Sequence, residues 1–256
     1  MSSLSLKNLD WRRAALALVY GGVCHGVFAI GVGAMIAAMY FGMSRSLGPL
    51  EPPWSWAPNV LLLMQFPLLH SFLLTERGRG WLTALAPHAL ARDLASTTYA
   101  TIAAFQVFLL FALWSPSGVI WWEAEGASFY ALTAAYCVAW ALLMKSMLDA
   151  GIELQSGLLG WWAVLRGVAP RYPDMPTTGL FRYTRQPIYV TFALTLWTVP
   201  VWTPDQLAVA ITLTGYCLVG PLFKERRFQR LFGERFDADR ATVPYWLPIG
   251  TVRKPK

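Results

Sequence analysis

The 256-residue chain is 56% hydrophobic and 14% charged, with a mean hydropathy of +0.43, whereas soluble domains are roughly 25% charged. Those values exclude an ordinary water-soluble globular protein and make lipid the solvent for much of the surface. The net charge of +7 does not point to nucleic acid, because the Lys and Arg residues flank apolar runs, where translocation bias and anionic headgroups already account for them.

Apolar runs fall at 14–43, 56–75, 94–114, 129–147 and 188–222. The first follows Lys7, Arg12 and Arg13 but is too long for a signal-peptide core and has no clear cleavage site, so it reads as a retained span. Within it Gly22, Gly26, Ala29 and Gly33 recur at helical spacing; the expectation is a face for packing inside the molecule, with a dimer face as the other reading. The last run is broken by Pro200, Pro204 and Asp205, which makes it a helical hairpin. Each arm is about 14 residues, roughly 21 Å long, so the arms extend past the apolar run, tilt, or form a re-entrant pair. Trp54, Trp56, Trp114, Trp121, Trp122 and Trp202 gather at one predicted boundary, as interfacial anchors do. Cys24, Cys137 and Cys217 lie in apolar segments without CxxC spacing and read as packing residues rather than disulfide partners or metal ligands.

With the N-terminus inside, only Arg45 of the 21 Lys and Arg residues falls outside. The positive-inside rule then gives an all-α polytopic membrane protein with about six membrane-embedded helices and both termini cytoplasmic. Residues 1–150 form the first four helices; residues 151–256 hold the longest cytoplasmic connection, the hairpin and the tail, and most of the polar residues.

Two strings in that second part carry legible chemistry. In Thr178-Gly-Leu-Phe-Arg-Tyr-Thr-Arg-Gln-Pro-Ile-Tyr189, Gly179 permits a turn, Arg182 and Arg185 offer guanidinium forks to a carboxylate or phosphate, and Pro187 is suited to open the next helix. The other reading of the two arginines is snorkelling toward headgroups. In the second string, Phe223 to Pro244, the last apolar helix continues into the cytoplasm and Gly233 is placed to end it.

Gly-Leu-Phe-Arg-Tyr-Thr-Arg-Gln-Pro-Ile-Tyr, then a hairpin, then Lys-Glu-x-x-Phe-x-x-x-Phe-Gly-x-x-Phe with a Val-Pro and Leu-Pro ending, resembles the isoprenylcysteine carboxyl methyltransferase-like superfamily. Within it the likeness is to methanethiol S-methyltransferases and NnrU-type membrane proteins, over roughly residues 60 to 250. The resemblance implies a bacterial inner-membrane enzyme, without a Rossmann domain, that uses S-adenosylmethionine on a small or lipophilic thiol entering from the bilayer. It also implies that Gly179, Arg182, Tyr183, Arg185, Gln186, Pro187, Tyr189 and Glu225 surround the cofactor. Two positions depart from the pattern: Gln186 stands where the family has His, and Lys224 where it has the first Glu of a pair.

His70, near the cytoplasmic end of the second span, is an ionisable residue at membrane depth and hence a functional candidate. It is read here, with Glu225, as catalytic, a base toward a thiol; the other reading is a hydrogen-bonded histidine between helices. His25, without a ligand-spaced partner, reads as packing. Three further readings stay open at this point: a non-catalytic membrane subunit of the same fold, prompted by Gln186 and Lys224; a haem-dependent protein like the NnrU-related carotenoid isomerases; and a reductase on a similar scaffold. No nucleic acid or resident metal is expected, membrane lipids are, and a homo-oligomer is possible.

Overall fold

A computed structural model describes residues 11–247. It is helical, with α1 (Trp11–Tyr40), α2 (Trp56–Leu73), α3 (Glu76–Ala84), α4 (Ala91–Ala112), α5 (Gly126–Asp149), α6 (Ile152–Gln155), α7 (Leu158–Arg166), α8 (Pro187–Trp197), α9 (Pro204–Phe232) and α10 (Glu234–Thr242). Two short strands, β1 (Trp122–Glu123) and β2 (Val201–Trp202), pair antiparallel with Trp122 opposite Trp202. Four helices, α1, α4 with its preceding turn, α5 and α9, are long and apolar enough to cross a membrane; α2 and α3, bent by 94° at their junction, make a fifth if counted as one broken span. At 11 residues, α8 is about 16 Å long and does not cross a hydrocarbon core of roughly 30 Å unaided.

Helix α1 buries Ala14, Ala17, Gly21, Cys24, Gly31, Met35 and Ala38, a three-and-four spacing that defines one face. Small residues there allow close approach: a Cβ on Gly31 would lie 2.5 Å from the Ala104 carbonyl oxygen of α4, and one on Gly21 would lie 2.6 Å from the Trp161 ring of α7. The stripe expected to pack internally does not. Gly22, Gly26 and Gly33 have nothing within 4 Å of a Cβ position, because they sit on the opposite side of the helix.

A core of Met39, Met43, Leu110, Phe111, Leu196 and Leu213 ties α1, α4, α8 and α9 together. Two polar side chains beside it are paired, as a bilayer favours. Asn59 and Ser115 exchange two hydrogen bonds of 2.8 and 3.0 Å. Asp205 accepts from the Trp114 indole at 3.0 Å and from the Ser117 amide at 2.9 Å. Trp114, expected as an interfacial anchor, is therefore buried, while Trp54, Trp56, Trp121 and Trp122 remain exposed.

The stretch 151–186, expected to be a cytoplasmic connection, contains a helix packed on the bundle. Arg13 Nε donates to the Val164 carbonyl at 2.9 Å, the Trp161 amide donates to Thr97 Oγ1 at 3.0 Å, and the Trp161 indole donates to His25 Nε2 at 3.1 Å. Gly157 and Gly167, both at positive φ, bound α7. The helix is apolar because α1 and α4 cover it, and too short to read as a span.

Candidate functional site

The site forms where α5, the turn at Gly179–Arg182, the start of α8, the far half of α9 and the tail after α10 meet. Gly179 has φ +59°, and a Cβ there would run into the Asp149 carboxylate, so glycine is required on both counts. The Leu180 amide donates to Asp149 Oδ2 at 2.8 Å, and Lys145 pairs with the same carboxylate. An acid in the last turn of α5 opposes the helix dipole; these two donors offset that cost and fasten the turn to the bundle.

Five residues later the chain enters α8, with Pro187 at its first turn, as its fixed φ favours. Arg185 Nε donates to Glu225 Oε1 at 2.8 Å, and Gln186 Nε2 donates to the same oxygen at 2.9 Å. Lys224 Nζ donates to Gln186 Oε1 at 2.7 Å and to the Arg185 carbonyl at 3.2 Å. The two positions that depart from the family pattern are thus bonded to each other. The Gln186 amide uses its donor on Glu225 and its acceptor on Lys224, which a single amide satisfies. Side-chain exposure of only 10% and 11% for Arg185 and Glu225 leaves this ion pair little screened by solvent.

Arg185 also closes the tail over the site. Its guanidinium donates to the Val243 carbonyl and, at 3.2 Å, to that of Arg240; its amide donates to the Pro244 carbonyl at 3.0 Å, and Thr184 Oγ1 donates to that of Tyr245 at 3.2 Å. The tail then docks at a defined break in α9. Pro221, inside that helix, cannot donate to the Cys217 carbonyl four residues back. The Trp246 indole does so instead at 3.3 Å, and Tyr245 Oη donates to the Leu218 carbonyl at 2.7 Å. Burial and the neighbouring Glu225 carboxylate push the Tyr245 phenol up to about 12, which keeps it a donor at physiological pH.

Aromatic faces line the inner wall. Lys224 Nζ stands 5.1, 5.6 and 6.0 Å from the ring centroids of Phe228, Phe181 and Tyr189, distances at which a ring quadrupole attracts a cation. Tyr189 packs on Tyr216 at 6.5 Å, and Tyr216 on His70 at 6.4 Å. His70 Nε2 shares a 2.7 Å hydrogen bond with Tyr99 Oη.

Gly179, Arg185, Gln186, Pro187, Tyr189 and Glu225, expected from the sequence, come together here, and His70 joins them through the tyrosine wall. Arg182 lies partly exposed on the turn and Tyr183 half-exposed beside it. Sequence reasoning missed Asp149, Tyr99, Tyr216, Tyr245 and Trp246 as parts of the site. Asp149 alone carried a local signal, as a carboxylate at the C-terminus of a helix.

Comparison with characterised proteins agrees with the motifs. The methanethiol S-methyltransferase of Mycobacterium tuberculosis is 28% identical over 240 residues, covering 91% of this chain and 96% of that enzyme. Methanethiol S-methyltransferase 1 of Bradyrhizobium diazoefficiens is 28% identical over 191 residues, covering 74% of this chain and 66% of that enzyme, so the alignment spans just under two thirds of that relative's length. Nurim of Sus scrofa is 28% identical over 178 residues, 64% of this chain and 63% of that protein. No family model and no solved structure matches. The resemblance to methanethiol S-methyltransferases read from the motifs is borne out across most of the chain.

Proposed function

We propose that this chain is an integral-membrane methyltransferase that transfers the methyl group of S-adenosylmethionine to a small or lipophilic thiol. The observation that carries the reading is the convergence of Arg185 and Gln186 on one Glu225 oxygen, under a tail that the same arginine holds, in a chain 28% identical to a methanethiol S-methyltransferase over 91% of its length.

The residues fit such a cofactor. Phe181, Tyr189 and Phe228 already surround a cationic nitrogen, and a sulfonium makes the same demand on ring faces. Glu225, held by two donors on one oxygen, keeps acceptor capacity for an ammonium or ribose hydroxyls. Bound there, S-adenosylmethionine supplies an electrophilic methyl group on a cationic sulfur. Arg185 is engaged with Glu225 and the tail, so its contribution is to set the carboxylate and close the cover. Gly179, with Asp149 behind it, fixes the turn carrying Arg182 and Tyr183, and Pro187 fixes the direction in which Tyr189 enters the wall. Transfer from a sulfonium to a thiolate cancels charge, so alignment in a water-poor enclosure does much of the work.

The Lys224–Gln186 bond bears on the non-catalytic reading: the departures form a satisfied pair rather than a broken site. For the haem reading, both histidines have Nε2 engaged, His25 by Trp161 and His70 by Tyr99. The proposal places α8 and α9 as an embedded hairpin, the fifth and sixth such helices, with both ends of the chain cytoplasmic. It is supported by the Gln206 side-chain bond to the Leu196 carbonyl and the Trp197–Thr214 bond, and by the charge distribution; the termini themselves lie outside the described residues. The bare face of α1 with Gly22, Gly26 and Gly33 is compatible with a homo-oligomer.

The test is methyl transfer from labelled S-adenosylmethionine by purified protein to a panel of thiols, isoprenoid thioethers bearing carboxylates, and phospholipid amines. Wild type is expected to methylate thiols, Gln186→His to retain or raise turnover, and Gln186→Ala to lower it. Absence of transfer by wild type across the panel overturns the reading in favour of a non-catalytic subunit.

A further inference from the structure

His70 stands in an aromatic cluster with one ring nitrogen unpartnered. His70 Nδ1 is buried and has no hydrogen-bond partner, although its other nitrogen is tightly held by Tyr99 at 2.7 Å. An orphaned ring nitrogen at this depth costs free energy unless a ligand satisfies it. Phe66 stacks on the imidazole at 5.0 Å, Tyr99 lies at 5.1 Å and Tyr216 at 6.4 Å, so three rings from α2, α4 and α9 enclose it. None of these four side chains is fully buried. Tyr216 Oη also shares a 3.3 Å hydrogen bond with Ser71 Oγ, which fixes its ring. Tyr216 packs in turn on Tyr189, the ring that also faces Lys224, so the cluster adjoins the candidate site.

We infer that a short alkanethiol binds against this aromatic cluster with its sulfur at His70 Nδ1, and that Tyr99 is the positioning residue that makes Nδ1 the proton acceptor. The inference rests on the methyltransferase reading and says where its acceptor sits. The inference requires the tautomer in which Nε2–H donates to Tyr99 Oη, so that the neutral imidazole presents its lone pair at Nδ1. The thiol S–H bond breaks and its proton goes to Nδ1. The sulfur's electron pair forms the new S–CH3 bond as the methyl group leaves the cofactor's sulfonium, whose sulfur keeps the bonding pair and becomes a neutral thioether. The resulting imidazolium donates more strongly to Tyr99 Oη. Apolar ring faces on three sides suit an alkyl group.

The groups that face His70 from the surrounding helices are Tyr99 of α4, Tyr216 and Arg227 of α9, and Tyr189 of α8, with Arg79 of α3 facing Arg227.

The experiment compares wild type, His70→Gln and Tyr99→Phe in detergent, each checked by circular dichroism and by direct S-adenosylmethionine binding. Methyl transfer to ethanethiol is measured from pH 6 to pH 10, and thermal stabilisation by ethanethiol without cofactor reports acceptor binding separately. His70→Gln is expected to lose roughly 100-fold or more in kcat/KM at pH 7, to recover most of it at pH 10 or with an aromatic thiol that is already ionised, and to bind cofactor like wild type. Tyr99→Phe is expected to move the pH profile while leaving cofactor binding unchanged. Ethanethiol is expected to stabilise wild type and to lose that effect in His70→Gln. Variants with the wild-type pH profile and rate overturn the inference, as does a loss that neither high pH nor an acidic thiol repairs. A wild type that transfers no methyl group, or binds no cofactor, overturns the underlying reading instead.

Discussion

Replacing Asp149 by alanine tests whether the turn at Gly179–Arg182 is held from behind. The side chain is 13% exposed, accepts from the Leu180 amide at 2.8 Å and pairs with Lys145, which is 52% exposed. The lysine is half in water, so its share is that of a surface pair, under about 1 kcal/mol. The amide is the larger matter. A hydrogen bond to a charged group contributes about 1.5–3 kcal/mol, and leaving its donor buried and unpaired costs a similar amount. If the cofactor needs the turn as built, Asp149→Ala weakens S-adenosylmethionine binding by roughly 10- to 150-fold, that energy converted at 1.4 kcal/mol per decade. Asp149→Asn keeps an oxygen for Leu180 and loses only the charge, so its effect stays within about fivefold. Calorimetry on protein in nanodiscs, with a thermal melt on each variant, reads both quantities. An alanine variant with wild-type affinity and melting temperature would show that the turn is set by other contacts and refute the reasoning.

Two further outcomes follow from the geometry. Trp246→Phe removes the donor to the Cys217 carbonyl and is expected to destabilise by about 0.5–1.5 kcal/mol. In a Pro221→Ala background, where the backbone amide at 221 supplies that donor, the same change is expected to cost close to nothing; equal costs in the two backgrounds in urea or thermal melts contradict the account of the break. For orientation, cysteines replacing the exposed Val119 and Tyr172 in a Cys137→Ala background are expected to react with an impermeant maleimide from outside and from inside, respectively. Labelling of position 172 from outside reverses the assignment. Ser117 is a poorer probe, since its hydroxyl and amide both bond Asp205.

Features governed by one-dimensional pattern were legible in the sequence. The apolar runs anticipated α1, α4, α5 and α9 closely, the breaker cluster separated α8 from α9, and Pro187, Gly179 and Gly233 stand at the helix start, turn and helix end assigned to them. Features governed by what lies opposite were not. Spacing alone did not tell which face of α1 meets α4, because Gly21 and Gly31 differ from Gly22 and Gly33 only in direction around the axis. Helix α7 was hidden because its apolar residues are buried on other helices, a demand that a hydropathy window cannot separate from a short loop. The Lys224–Gln186 bond was illegible for a related reason: each residue looked like an isolated departure, and only their separation of 2.7 Å in space shows that the two are partners. Tyr99 and Tyr216, ordinary aromatics in apolar helices, gain meaning from the histidine they surround.

The proline break in α9 also sets an order of events during synthesis. Inserted into the bilayer, α9 carries a Cys217 carbonyl that its own helix cannot satisfy, and the indole that satisfies it lies 29 residues further along the chain. Until that segment has left the ribosome, the helix holds an open acceptor at membrane depth, Arg185 lacks the carbonyls of Arg240 and Val243, and the Glu225 carboxylate has no cover. A nascent chain halted after Phe232 would hold its helices in the bilayer yet lack the tail that covers Glu225, so the end of the molecule carrying the candidate site matures last.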